Sequence, residues 1–260
     1  MSAKKFSEDE VLRILSDVIT HGLPLSDVAI CLRAGVDVNA GVRKGLRPLH
    51  YAVYENYVSC VNLLVENGAD VNLPDDCGFK PLHIAAKHGK VRALRALLRH
   101  KAVVNFNDES KDYVSHLSKT LSDLTVNPLN LAIENNHPEC VEALLVYGAN
   151  PNQEYFLGHE ITLVPLEHTE CMRYLLQYGA DPNVVDRTGL STLMRACKLN
   201  QPEAAKVLLR FGADVNLQCP PKFDQKTALH FASMTGNVEM CRILLEAGEC
   251  WVSTAGVIMQ

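Results

Sequence analysis

The residues in this 260-residue chain best suited to metal or redox chemistry are nine cysteines (31, 60, 77, 140, 171, 197, 219, 241 and 250) and three histidines. Each histidine closes a similar tripeptide: Pro48-Leu49-His50, Pro81-Leu82-His83 and Ala228-Leu229-His230. Zinc sites pair their thiolates at short spacing. Here there is no Cys-x-x-Cys and the cysteine count is odd. Cys60, Cys140 and Cys171 each stand eight residues before a glycine (Gly68, Gly148 and Gly179), as a small buried hydrophobe recurs in a periodic fold. These cysteines therefore read as structural, with no metal and no cofactor. The chain has no glycine-rich phosphate loop, nucleophile elbow or His-Glu-x-x-His run, so no catalytic residue stands out and a non-enzymatic role is expected.

Composition narrows the classes further. Hydrophobic residues make up 47% and charged residues 21%, enough to bury a large interior, and the net charge of −5 disfavours nucleic acid. Apolar runs are broken every few residues, well short of the roughly 20 needed to cross a bilayer. The opening Met-Ser-Ala-Lys-Lys leads into an acidic stretch with no apolar core, unlike a signal peptide. A cytoplasmic or nuclear monomer is expected, with no membrane association.

The elements that position these residues are set by an internal repeat. Gly35-Val36-Asp37-Val38-Asn39 returns as Gly68-Ala69-Asp70-Val71-Asn72, and again at 148–152, 179–183 and 212–216. Lys101-Ala102-Val103-Val104-Asn105 is a weaker copy, and successive final asparagines lie 33, 33, 47, 31 and 33 residues apart. Proline at a first helical position costs no hydrogen bond, so Pro48, Pro81 and Pro128 mark helix starts. Asn127, Ser191 and Thr227 are good N-caps, whereas Arg47 and Lys80 are poor ones. Second helices show apolar residues at helical spacing, such as Val141, Leu144 and Leu145, and are expected to end at the motif glycine in a left-handed turn.

These motifs resemble the ankyrin repeat: a Thr-Pro-Leu-His-like helix start, a second helix, then Gly-Ala-Asp-Val-Asn. The resemblance implies an all-α fold, an ankyrin-repeat solenoid of stacked helix-turn-helix units with projecting β-hairpin loops. Residues 1–39 form a degenerate capping repeat. Six repeats follow at about 40–72, 73–105, 106–152 (with an insertion at 106–126), 153–183, 184–216 and 217–248, and then an irregular tail at 249–260. The resemblance also implies that the slot of His50, His83 and His230 serves hydrogen bonds between neighbouring repeats.

By the same resemblance, the chain is a protein-binding module or scaffold. Its concave face would present Tyr51, Tyr54 and Glu55, Lys87 and His88, Glu134 and Asn135, Arg195 and Lys198, and Phe231 and Met234. Tyr51 and Phe231 serve equally well as covers for neighbouring repeats. Asparaginyl hydroxylation is implied at Asn72, Asn152, Asn183 and Asn216, each with a leucine eight residues upstream. The Cys-Val and Cys-Met starts of several second helices resemble the ankyrin proteins that carry a suppressor-of-cytokine-signalling box. A ubiquitin-ligase substrate receptor lacking that box is therefore an alternative, as is a regulatory domain of a larger protein.

Departures from the pattern carry the individuality of the chain. In the 106–126 insertion, Val114, Leu117, Leu121 and Leu124 fit a short amphipathic helix, either packed on its own repeat or reaching a partner. Pro165 falls inside the expected first helix of the fourth full repeat, where it weakens the stack. After Gly248 the Ala-Asp-Val-Asn motif is replaced by Glu249-Cys250-Trp251-Val252, as in a cap or a shortened form of a longer protein. Lys87, Lys90, Arg92, Arg95, Arg99 and Lys101 form a basic run without an acid; removing their +6 from the total of −5 leaves −11 elsewhere. Such a patch would attract an acidic peptide, or would simply be a solvated helix face.

Overall fold

A computed structural model describes residues 7–105, 127–155, 158–221 and 225–255, with side chains through Gly248 except at Tyr155. The insertion at 106–126 and the last five residues lie outside the described residues. The chain divides between Ala149 and Asn150 into two compact units.

In the first unit, four helix pairs follow one another. They are α1 (Glu8–Thr20) with α2 (Leu25–Arg33), α3 (Pro48–Tyr54) with α4 (Val58–Glu66), α5 (Pro81–Lys87) with α6 (Val91–Arg99), and α7 (Pro128–Glu134) with α8 (Pro138–Val146). The first helices pack in one row, α1 on α3 on α5 on α7, and the second helices α2, α4, α6 and α8 pack in a parallel row. Helices of seven to nine residues are too short to persist alone, so their stability comes from this packing. Leu49, Leu82 and Leu129 repeat one core position, Leu64, Leu97 and Leu144 another, and all six are at most 2% exposed.

The second unit begins with a two-stranded antiparallel pair, β1 (Glu154–Tyr155) and β2 (Gly158–His159). Then come α9 (Glu160–Leu163) with α10 (Thr169–Gln177), α11 (Thr192–Lys198) with α12 (Pro202–Arg210), and α13 (Ala228–Met234) with α14 (Val238–Ala255). Among the described residues the other hairpin loops are turns, closed by single backbone bonds such as Asp75 N–H to Phe79 O (2.9 Å) and Asp186 N–H to Leu190 O (3.0 Å). Links this short, crowded with Pro, Gly and Asp, leave no length for a ladder.

Helix starts follow local chemistry. Asn127 Oδ1 accepts from the Leu129 N–H (2.9 Å), and Ser191 Oγ accepts from the Met194 N–H (3.3 Å). Arg47 and Lys80 offer no acceptor to the first helix amides, and the histidine three residues on makes the reciprocal bond, to the cap residue's own N–H. His50 Nδ1 accepts from the Arg47 N–H (3.1 Å), and His83 Nδ1 accepts from the Lys80 N–H (3.0 Å). The other nitrogen of His50, Nε2, is thereby left to donate to Phe79 O of the next repeat (3.1 Å). This is the inter-repeat bond that the resemblance implies.

Three features differ from the sequence expectations. Helix α9 is one turn long because Pro165 forces Val164 into an extended conformation (ψ 127°), which ends the helix at Leu163. Helix α14 does not stop at Gly248 but runs on to Ala255, so residues 249–255 of the expected irregular tail are helical. Without the Ala-Asp-Val-Asn hairpin to follow, nothing draws Gly248 into the left-handed region, and it stays helical. Lys101 fills the slot that glycine holds elsewhere and adopts a left-handed φ of 62°, where a side chain costs roughly 1–2 kcal/mol.

Candidate partner-binding surface

At the end of every first helix except α9 the chain reverses within about two residues, and a left-handed residue does this: Gly22, Asn56, Gly89, Asn136, Asn200 and Gly236 (φ 53–68°). Asparagine tolerates this region because its short side chain bonds locally. These turns form an edge in each unit, and the expected partner residues Tyr54, Glu55, Lys87, His88, Glu134, Asn135, Lys198 and Met234 all lie on it and are exposed.

In the first unit the edge is built around Tyr54, which is 50% exposed. The His88 ring meets it edge-on at 5.1 Å, and Lys90 Nζ stands over it at 5.4 Å. Lys87 Nζ lies 5.7 Å from the Phe79 ring. From the following repeat, the His137 imidazole Nε2 lies 3.1 Å from Lys87 O and its ring packs against Gly89, where a Cβ would approach it within 2.6 Å. Burial, and then the neighbouring Lys87 and Lys90 ammonium groups, hold the His88 imidazole below its usual pKa. Tyr51 is half-buried, and burial raises its phenol.

In the second unit, the Asn237 side-chain amide donates to Asn200 Oδ1 and links the turns after α11 and α13. Beside that link, Leu199, Met234 and Val238 are 58%, 70% and 72% exposed, while Phe231 is half-buried. Leu199, Val238 and Phe79 were not among the expected residues, and Lys90 was expected only as part of the basic run. The first two were legible as apolar residues flanking a turn asparagine.

Arg195 is a correction. It is half-buried, and its guanidinium donates to Thr162 O and Val164 O, the carbonyls left open where α9 stops early. Burial lowers its pKa, and its role is to hold the short helix. The basic run is also redistributed. Lys87 and Lys90 belong to the turn, while Arg92, Arg95 and Arg99 lie on exposed positions of α6, with Arg95 4.0 Å from Glu142.

Most described cysteines behave as packing residues, Cys77 being the exposed exception. Cys60, Cys140 and Cys171 are fully buried, and burial pushes the Cys60 thiol up to about 12 and the Cys171 thiol to about 11. Among the described residues, no group of His, Cys, Asp and Glu is arranged to hold a metal, and no helix is long and apolar enough to cross a membrane.

The hairpin asparagines form a ladder. Asn39 Nδ2 donates to Gly68 O (2.9 Å) and its Oδ1 accepts from the Asp70 N–H (2.9 Å). Asn152 repeats this with Gly179 O and the Asp181 N–H, and Asn183 with Gly212 O and the Asp214 N–H. A family model of ankyrin repeats, three copies long, matches residues 7–75, 50–155 and 163–254.

The chain belongs to the ankyrin-repeat family.

Solved structures agree. The ankyrin repeat domain of human ASB11 is similar at 23% identity and TM-score 0.67, covering 90% of this chain and 96% of that one. The ankyrin repeat domain of Bcl-3, a member of the IkappaB protein family, is 26% identical with TM-score 0.69, covering 88% and 96%. An ankyrin repeat domain from Acinetobacter baumannii AYE is 24% identical with TM-score 0.63, covering 77% and 97%. Among curated proteins, a Danio rerio protein bearing the name "Putative palmitoyltransferase ZDHHC13" is 31% identical over 130 residues, 48% of this chain. The ankyrin chain spans only 20% of that relative's length. Ankyrin repeats are a protein–protein interaction fold.

Proposed function

We propose that this ankyrin chain is a non-enzymatic adaptor that grips a partner protein along the turn edges of its two units. The observation that carries this reading is the exposure of large apolar side chains at those turns. Tyr54 stands on one edge, and Leu199, Met234 and Val238 on the other, at 50–72% exposure. Binding energy concentrates on a few aromatic and apolar anchors that a partner can desolvate. The titratable groups with the largest shifts, by contrast, are buried in the repeat core: the thiols of Cys60, Cys171 and Cys197 and the imidazole of His50.

Affinity capture with mass spectrometry tests the reading. Proteins recovered with the wild-type chain should be depleted at least several-fold with Tyr54→Ala or Phe231→Ala. Undiminished recovery with both variants would overturn it.

A further inference from the structure

The turn between α5 and α6 differs from every other turn in its unit. Lys87, His88 and Lys90 follow one another there, where the equivalent turns carry Glu55-Asn56 and Glu134-Asn135. Lys87 and Lys90 make no ion pair among the described residues; their ammonium groups rest over the Phe79 and Tyr54 rings. Cation–π contacts at exposed sites are weak, so the ammonium groups are oriented yet still available to a carboxylate. The His88 ring packs edge-on against Tyr54, and His137 clamps the turn from the far side.

The geometry points to this turn as the docking point for an acidic, Asp- and Glu-rich segment of the partner protein, with Tyr54 as its apolar floor. The proposal rests on the partner-binding reading above and narrows it. Glu55 and Glu134, at the equivalent ends of α3 and α7, fence the cations on either side. An acidic segment is therefore attracted at one turn and repelled at its neighbours, which fixes its register. The arginines of α6 do not share the role: they lie on the second helix, away from the aromatic platform, and Arg95 already faces Glu142.

The test uses the full chain and a fluorescein-labelled glutamate–glycine peptide, with a glutamine–glycine peptide of equal length as control. Fluorescence anisotropy should show binding of the glutamate peptide that weakens as salt rises, as exposed charge attraction does. The double variant Lys87→Glu with Lys90→Glu should weaken it roughly tenfold, and Arg92→Glu with Arg99→Glu less than about twofold. Lys87→Gln with Lys90→Gln provides the comparison if charge reversal disturbs folding, judged by circular dichroism. Equal binding of the glutamine peptide, no binding of the glutamate peptide, or equal losses from the α6 variants would overturn the acidic-segment proposal. The capture experiment with Tyr54→Ala and Phe231→Ala decides the broader reading independently.

Discussion

Asn152 and Gly179 are joined across consecutive repeats, the side-chain Nδ2 donating to the glycine carbonyl at 2.8 Å while Oδ1 accepts the Asp181 N–H at 2.9 Å. Both ends of the amide are thus occupied, although Asn152 lies at the surface. Asn183 is held in the same way, and Asn72 Oδ1 accepts from the Val103 N–H. Asn216 is exposed, and among the described residues no hairpin takes its side chain, because α14 continues through Gly248.

That difference orders the expected hydroxylation. Peptide mass spectra of protein from cells should show more added oxygen on the Asn216 peptide than on those of Asn72, Asn152 or Asn183. Equal or reversed occupancy contradicts the ordering, and no oxygen on any of the four rejects the modification.

His50 makes stability depend on pH. Its ordinary pKa is 6.5, and burial lowers it to about 4 in the folded chain. Above pH 6.5 both states are neutral there and the stability is complete. As pH falls from 6.5 toward 4, only the unfolded chain takes up the proton, so the contribution is lost, by about 3 kcal/mol in all. Urea unfolding at neutral pH and near pH 4 measures it, and His50→Gln should flatten this part of the profile.

Lys101 stores strain that glycine would release. With a left-handed φ of 62° and an exposed side chain, Lys101→Gly should stabilise the first unit by about 1 kcal/mol, after allowing for the freer unfolded chain. Denaturant midpoints check it; a lower midpoint contradicts it.

Arg195 should matter for stability. Arg195→Ala removes two charge-assisted bonds to carbonyls beside the fully buried Val164, and is expected to cost about 2–4 kcal/mol. Arg195→Lys should not restore it, because one ammonium cannot span both carbonyls as the planar fork does. Unchanged unfolding with lost partner capture would return Arg195 to the binding surface.

The repeat itself was legible because its residue types are imposed locally. A glycine ends most second helices, a proline or cap opens most first ones, and an asparagine bridges to the next repeat. Arg195 was not legible in the same way. An arginine on a first helix reads alike whether it faces solvent or reaches back to Thr162, and the open carbonyls exist only because Pro165 stops α9. The Tyr54–Lys90 pairing joins residues 36 apart, and only stacking of α3 on α5 brings them within 5.4 Å. At Gly248 the residue type was right but its context was not, since glycine permits a left-handed turn without compelling it.

The central claim is that the turn edge, and not the outer helix row, meets the partner. Placing a photo-crosslinking amino acid at position 54, and separately at position 92 on α6, tests it most directly in cells. The account predicts a crosslinked partner from position 54 and none from position 92; crosslinks from 92 alone, or equally from both, would contradict it.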